Sequence, residues 1–354
     1  MTQLDSLATP SLVLDRPRLE RNIGRMRSRM SRLGVALRPH MKTAKSLDVA
    51  RLVLDRPDQG VTVSTLAEAE AFVGAGITDI LYAVGIAPDK LDRAGACGAQ
   101  VVVDSVAMAQ RVVAHGEHRV WIEVDCDGRR SGVDPHGPDL IEIGPVLGPM
   151  LAGVMTHAGG SYTAGSHDEL MAFVARERMA VVTAAERLRH EGLDCPGVSV
   201  GSTPTMASAN DLSGVTEARP GVYMFMDLFQ AGLGVCALDD IAISVLATVI
   251  GHRSDGAIVD AGALALSLDR TTSFQEVDRG FGLVCDLDCA PFGELVVDRV
   301  TQEHGVIVGG GQLPLGSKVR ILPNHACITA AAHDHYRVID DGRVIGRWDR
   351  ITGW

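Results

Sequence analysis

Three short stretches of this chain hold residue types suited to chemistry. The first is Arg38-Pro39-His40-Met41-Lys42-Thr43-Ala44-Lys45, a basic, proline-stiffened segment placed where a buried apolar run ends. A lysine held at such a place, against a low-dielectric wall, is readied as an amine nucleophile. The plainer alternative is two solvated lysines at the start of a helix. The second stretch is Gly201-Ser202-Thr203. A glycine lets backbone N–H groups approach an anion and two hydroxyls add donors, although a simple turn has the same composition. The third is Pro323-Asn324-His325-Ala326-Cys327. Read as a strand, it points His325 and Cys327 to one face, and imidazole with thiolate suits Zn²⁺. The alternative is a buried thiol beside a hydrogen-bonded imidazole. Cys285, Cys289 and His304 form a rival set whose spacing does not share one strand face, and they read as structural.

The elements that must position these residues follow from periodicity. After an extended piece at 11–14, a helix over 17–33 repeats Leu19, Ile23, Met26, Met30 and Leu33 at helical spacing. Eight strands are then predicted at 35–42, 60–65, 79–84, 100–105, 119–125, 153–158, 197–203 and 216–225. Helical patterns at 67–73, 89–96, 106–114, 138–146 and 167–189 separate most of them. This alternation predicts a (β/α)8 TIM-type barrel over residues 16–237. From 238 to 354 the chain changes to short β-branched runs broken by Gly, Pro and Asp, which predicts an antiparallel β domain joined by residues 1–15. Gly309-Gly310-Gly311 reads as a turn, because it leads to Pro314 rather than into a helix.

Composition narrows the function. The 354 residues are 46% hydrophobic but only 4% aromatic, and the net charge is −11. That excludes a basic footprint for nucleic acid and an aromatic stacking surface. No apolar run reaches the ~18 residues a membrane helix needs, and the amino terminus does not read as a signal peptide. Seven scattered cysteines, an odd number, fit thiols in a reducing cytoplasm.

In such a barrel the active site lies at the carboxyl ends of the strands. The predicted ends carry His40 and Lys42; Ser64 and Thr65; Glu123 to Arg130; His157 to Tyr162; Gly201 to Thr205; and Arg219 to Tyr223. A lysine and a phosphate corner at one barrel end suggest pyridoxal phosphate carried on Lys42. Arg130 then faces the ring's phenolic oxygen or its nitrogen; alternatively it is a surface ion pair with Glu123, Asp125 or Asp127.

With these residues in view, the chain resembles the D-serine dehydratase-like group of fold-type III pyridoxal-phosphate enzymes, relatives of alanine racemase that include the D-threonine aldolases. The likeness runs almost end to end. It rests on Arg38 to Thr43, Thr62-Val63-Ser64-Thr65-Leu66, Thr156-His157-Ala158-Gly159, Val198 to Thr205, Val259-Asp260-Ala261-Gly262 and Pro323 to Cys327. It implies Lys42 as the lysine that carries the cofactor and Arg130 as a ring contact. His157, Tyr162 and Tyr223 would line the pocket, and Gly201, Ser202 and Thr203 would hold the phosphate. His325 and Cys327 would be the metal ligands. The D-threonine aldolases carry an aspartate where this chain has Cys327. The thiolate favours Zn²⁺ over Mn²⁺ or Mg²⁺, and with it dehydration. Gly160, where relatives carry a bulkier residue, bears on substrate size.

The resemblance further implies a lyase acting on a D-3-hydroxy amino acid, of the D-threo-3-hydroxyaspartate or D-serine type, to give a 2-oxo acid and ammonia. Retro-aldol cleavage to glycine and an aldehyde is the alternative. A racemase would leave the metal pair unexplained, and a non-catalytic cofactor carrier would lack the second domain. A homodimer is expected, since in the resembled family the β domain of one subunit covers the barrel of the other.

Overall fold

The computed structural model describes residues 2–56, 58–116 and 118–354. It divides into two compact units: Arg25–Gly221 with Ile351–Trp354, and the amino-terminal residues through Gly24 with Val222–Arg350.

The first unit is the expected barrel. Its eight parallel strands are Ala36–Leu37, Val61–Val63, Ile80–Gly85, Gln100–Val103, Val120–Glu123, Leu151–Met155, Gly197–Val200 and Glu217–Ala218. The first strand pairs with the eighth, Ala36 opposite Glu217 and Leu37 opposite Ala218. A parallel bridge between His40 and Thr62 closes the cylinder. Leu81, Val102, Trp121, Ala152 and Met155 pack together inside. The Trp121 indole N–H donates to Gln100 Oε1 at 2.6 Å, which satisfies its one polar atom. Gly153 and Gly197 make room there: a Cβ on Gly197 would stand 2.4 Å from the Trp121 ring, and one on Gly153 would stand 2.2 Å from the Gly197 carbonyl.

Helices follow the strands, and hydroxyl side chains start several of them. Thr65 caps Leu66–Gly74 in a reciprocal box with Glu68. Ser105, Ser166 and Ser202 cap Val106–His115, His167–His190 and Thr203–Ser208. The strand expected over 216–225 ends at Ala218, and Val222–Met224 is a 3-10 turn. The strand expected to reach Thr203 ends at Val200, because Ser202 caps a helix that opens with Thr203 and Pro204.

The second unit holds an eleven-stranded sheet among the described residues. Its longest strand, Ile243–Arg253, pairs antiparallel with Ser11–Asp15, Gly256–Val259 and Lys318–Leu322. The expectation of a purely antiparallel domain needs correction: His335–Asp340 runs parallel to Ser11–Asp15, so the sheet is mixed. The final strand Arg343–Asp349 was not expected, because its side chains alternate between half-buried and exposed and carry little apolar signal. Leu4, Val13, Leu246 and Ile339 form one core cluster. Gly309 takes a left-handed φ of 76° and opens the turn Gly310–Gln312, as its run of glycines predicts.

Candidate active site

Lys42 is half-buried in the tight loop that follows the first barrel strand, between buried Met41 and Thr43. The loop closes through Lys45 N–H donating to the Met41 carbonyl at 2.7 Å, with Lys45 at φ 46°. Lys45 turns away from solvent: its amine stands 3.3 Å from the carboxylate of Glu68, which is fully buried. Lys42 N–H lies 3.4 Å from His40 Nδ1.

His40 and His157 flank the lysine. Burial pushes both imidazoles well below their usual pKa, and the nearby charges of Lys42, Arg219 and Arg130 push the same way. Both rings are therefore neutral near pH 7. The His157 ring donates to the Gly201 carbonyl, and its centroid lies 6.3 Å from that of Tyr162. Arg219, 4% exposed, donates to the Thr156 carbonyl at 2.6 Å and to Ser199 Oγ at 2.7 Å. Arg130 is exposed, and a Cβ on Gly159 would come within 3.7 Å of its Nε. The acids suggested as its surface partners are engaged elsewhere. Glu123 accepts from Ser131 Oγ, Asp125 from the N–H of Asp127 and Gly128, and Asp127 from the N–H of Gly160 and Arg129.

Of the sequence-predicted cofactor residues, Lys42, Arg130, His157, Tyr162 and Gly201 are thus linked at one end of the barrel. Ser202 and Thr203 follow Gly201 and are buried. Two of the donors expected there are already in use within the protein. Gly201 N–H donates to Glu177 Oε1 at 3.2 Å, and the Ser202 hydroxyl donates to Thr205 Oγ1 at 2.7 Å, whose own proton goes to Glu177. Tyr223 belongs to the other unit, where it is fully buried on the Val222–Met224 turn. Gly160 has a packing reason to be glycine: a Cβ would meet the Phe173 ring at 2.5 Å and Asp127 Oδ2 at 3.0 Å. Its place is filled by protein, so it does not enlarge a pocket.

The mouth suits a phosphorylated aldehyde. It offers one amine, two further cations and buried hydroxyls, and its imidazoles already sit in a positive field that an anion would relieve.

The second constellation lies in the other unit. His325 and Cys327 do not sit on a strand: His325 is the extended residue before the helix Ala326–Ala331, and Cys327 is in its first turn. They meet nonetheless, because the step from an extended cap into the first turn brings both side chains to the same helix end. Asn324 fixes the approach. It is 2% exposed, donates to the carbonyls of Asp269 and Gly280, and accepts from Thr272 Oγ1. Asp227 Oδ2 accepts from Ala326 N–H at 2.9 Å, and Asp269 Oδ2 lies 3.7 Å from His325 Nδ1. Burial alone would lower the His325 pKa, but Asp269, Cys327 and Asp227 outweigh it and hold the imidazole up at about 11. A site that grips a proton this firmly among a thiol and two carboxylates suits a divalent cation with mixed N and S donors. Among the described residues no cluster of three His, Cys, Asp or Glu is arranged for a metal, so two protein ligands would leave positions open. Cys285 and Cys289 are buried against each other while His304 is exposed, so the three do not form a ligand set.

Sequence reading assigned no role to His40, Arg219, Glu177, Asp227 or Asp269. A signal for Glu177 was present. It falls on the apolar stripe of its helix with Val174, Val181 and Ala184, where a charged residue is out of pattern.

Comparison with known proteins agrees with both halves. The alanine racemase N-terminal domain model matches residues 14–228, and the putative serine dehydratase domain model matches residues 242–339. The chain is 48% identical to the D-threo-3-hydroxyaspartate dehydratase of Delftia sp. (strain HT23), covering 99% of this chain and 98% of that protein. The crystal structure of that enzyme superposes with a TM-score of 0.97 at 47% identity and covers all of both chains. D-threo-3-hydroxyaspartate dehydratase is also known as a histidine-to-alanine mutant and as a cysteine-to-alanine mutant in the metal-free form, at position numbers two apart. The D-serine dehydratase of Dictyostelium discoideum is 30% identical, covering 99% of this chain and 98% of that one. The D-threonine aldolase of Arthrobacter sp. is 31% identical, covering 96% and 91%.

Proposed function

The chain belongs to the fold-type III pyridoxal-phosphate enzymes, in the group that joins an alanine racemase-type barrel to a serine dehydratase-type domain, and from that premise we propose that it removes water from a D-3-hydroxy amino acid. The products are a 2-oxo acid and ammonia, and the substrate class is D-threo-3-hydroxyaspartate and D-serine. The observation that carries dehydration over other lyase chemistry is the imidazole–thiol pair of His325 and Cys327 among buried carboxylates. Hydroxide is a poor leaving group near neutral pH, and this pair offers a place for the ion that would help it leave. The metal-free cysteine mutant and the histidine mutant of D-threo-3-hydroxyaspartate dehydratase, at position numbers two apart, support the same reading.

Lys42 would carry pyridoxal phosphate, which when bound supplies a sink for the electron pair left at Cα. The Lys42 amine is the base: it takes the Cα proton and holds it at Nζ. Arg130 would face the ring's phenolic oxygen or nitrogen, and an arginine at the nitrogen would keep it unprotonated. His157, with one ring nitrogen committed to the Gly201 carbonyl, presents its other nitrogen as a neutral acceptor. Tyr162 would line the pocket. The backbone of Gly201, Ser202 and Thr203, shaped by the Ser202 cap and the Glu177 carboxylate, forms the phosphate corner. His325 and Cys327 would hold the divalent ion, Zn²⁺ by the softness of the thiolate and with Mn²⁺ or Mg²⁺ as alternatives, to act as Lewis acid on the β-hydroxyl.

We further read the protein as a cytoplasmic homodimer. None of its seven cysteines is in a disulfide. Leu264, Leu268, Phe274 and Ile328, all exposed and on segments adjoining His325, are apolar surface that a second copy would cover. Sedimentation that finds a fully active monomer would contradict the dimer. A product assay with D-serine, D-threonine and D-threo-3-hydroxyaspartate tests the reaction. Oxo acid with ammonia is the expected result; glycine with an aldehyde would make the protein an aldolase, and the L-enantiomer a racemase.

A further inference from the structure

The long helix His167–His190 carries one carboxylate into the barrel unit's interior. Glu177 is fully buried, and each of its oxygens accepts from a different part of the mouth. Oε1 takes the Ala158 N–H at 2.9 Å and the Gly201 N–H at 3.2 Å. Oε2 takes the Thr205 hydroxyl at 2.6 Å. Ala158 follows His157 in the loop after the sixth strand. Gly201 opens the loop after the seventh. The two loops also touch directly, the His157 ring on the Gly201 carbonyl and Ser161 beside Ser202, but their N–H groups at Ala158 and Gly201 are joined through this one carboxylate oxygen.

The carboxylate also sets the direction of a hydroxyl chain. Thr205 gives its proton to Glu177, so its oxygen accepts from Ser202 Oγ at 2.7 Å, while Ser202 accepts from Thr205 N–H. Ser161, 3.1 Å from Ser202, gives its own proton to the Ala158 carbonyl. The Thr205 and Ser161 protons are thereby directed by acceptors that cannot themselves donate, and the Ser202 proton by Thr205, whose own proton is committed to Glu177. Burial raises the Glu177 pKa, opposed by these three hydrogen bonds and by the charge of Arg219.

We propose that Glu177 is the positioning residue of the barrel mouth: its single carboxylate ties the loop bearing His157 and Tyr162 to the loop bearing Gly201, Ser202 and Thr203, and so holds the corner that receives the cofactor's phosphate. This rests on reading the mouth as a pyridoxal-phosphate site. Glutamine keeps an oxygen for the two backbone N–H groups and only reverses the hydroxyl chain, its amide donating to Thr205 and Thr205 to Ser202. Alanine removes both ties, and each lost bond leaves a buried amide without its acceptor.

The experiment compares wild type, Glu177→Ala, Glu177→Gln and, as a packing control on the same helix, Leu188→Ala, a fully buried residue. Amide hydrogen exchange is followed at Ala158 and Gly201, and release of pyridoxal phosphate is followed by absorbance after dilution. Glu177→Ala is expected to speed exchange at both amides together and to release cofactor roughly 10- to 100-fold faster. Glu177→Gln keeps both amides protected and releases cofactor within about threefold of wild type. Leu188→Ala lowers the melting temperature and moves neither readout. Unchanged protection in Glu177→Ala, acceleration at only one amide, or equal cofactor release from Leu188→Ala overturns the proposal. Should Glu177→Ala fail to fold, loss of protection at either amide in Glu177→Gln overturns it as well. Wild-type protein that takes up no pyridoxal phosphate refutes the cofactor reading instead, and the paired exchange still decides the role of Glu177.

Discussion

Arg38 joins three strands of the barrel, and replacing it with methionine should be costly. The residue is 9% exposed. Nε donates to Glu217 Oε2 at 2.8 Å beside the eighth strand, and Nη1 and Nη2 clasp Asp79 at 3.1 and 2.7 Å just before the third. The side chain passes over the second strand at Gly60, where a Cβ would stand 2.1 Å from Nη1. Methionine fills similar volume but leaves two carboxylates without their cation. Removing one partner of a buried pair costs about 3–5 kcal/mol. Asp79 has a side chain 37% exposed and water will solvate it, so its half counts as a surface pair of about 0–1 kcal/mol. Glu217, 12% exposed and otherwise held by Ser199 Oγ at 2.7 Å, carries most of the penalty. About 3–4 kcal/mol for Arg38→Met is the result. For a unit of this size, that lowers the melting temperature by about 6–16 °C. Calorimetry on Arg38→Met, Glu217→Gln and the double variant tests the account. The double variant should be more stable than Arg38→Met alone, because no orphan carboxylate remains. Strict additivity, or an Arg38→Met within about 1 kcal/mol of wild type, would refute it.

Lys42→Ala should abolish turnover and the near-visible band of lysine-bound cofactor while leaving circular dichroism unchanged; a retained band would move the attachment to another amine, with Lys45 next along the loop. Cys327→Ala should lose bound zinc but keep the cofactor band, with water elimination falling by several kcal/mol, roughly 100-fold or more, while Cα-proton exchange with solvent deuterium persists. Equal loss of exchange and elimination would tie the ion to folding instead. Because His40 and His157 have folded pKa values well below the 6.5 of the unfolded chain, the unfolded state binds more protons once pH drops under about 6.5. Cofactor-free protein should therefore lose stability toward acid, by up to about 1.4 kcal/mol per pH unit for each histidine. His157→Gln should reduce that slope in urea titrations run from pH 7.5 to 5, and an unchanged slope would place the acid sensitivity elsewhere.

The barrel was legible because its signal is local. Val61–Val63, Gln100–Val103 and Leu151–Met155 are entirely buried, so each reads as a short, mostly apolar run. Lys42 was legible because the residues around it announce a strand giving way to a polar loop. The carboxylates were not. Glu177 reaches the mouth from a helix, 19 residues beyond Ala158 and 24 before Gly201, and Asp269 and Asp227 reach His325 from loops 56 and 98 residues away in the numbering. No pattern of spacing links such positions; only the closed fold does. The His325–Cys327 pairing was reached through a strand that does not exist. It survives because an extended helix cap followed by one turn brings residues two apart together, as a strand would.

The same side chain appears in both halves of the protein in opposite states, and the difference lies in the field around it. His40 and His157 are buried among Lys42, Arg130 and Arg219 and are held neutral. His325 is buried as well, yet Asp269, Cys327 and Asp227 hold its proton to about pH 11. Burial alone would lower all three, so the sign of the surrounding charge decides which imidazole stays protonated. A cation-rich mouth admits an anion such as a phosphorylated cofactor without adding repulsion. An acid-rich pocket would favour a divalent ion, whose binding would displace the proton that His325 otherwise keeps. Elimination of water from a hydroxy amino acid asks for both, an electron sink for Cα and a Lewis acid for the departing oxygen, and the chain builds one charge environment for each.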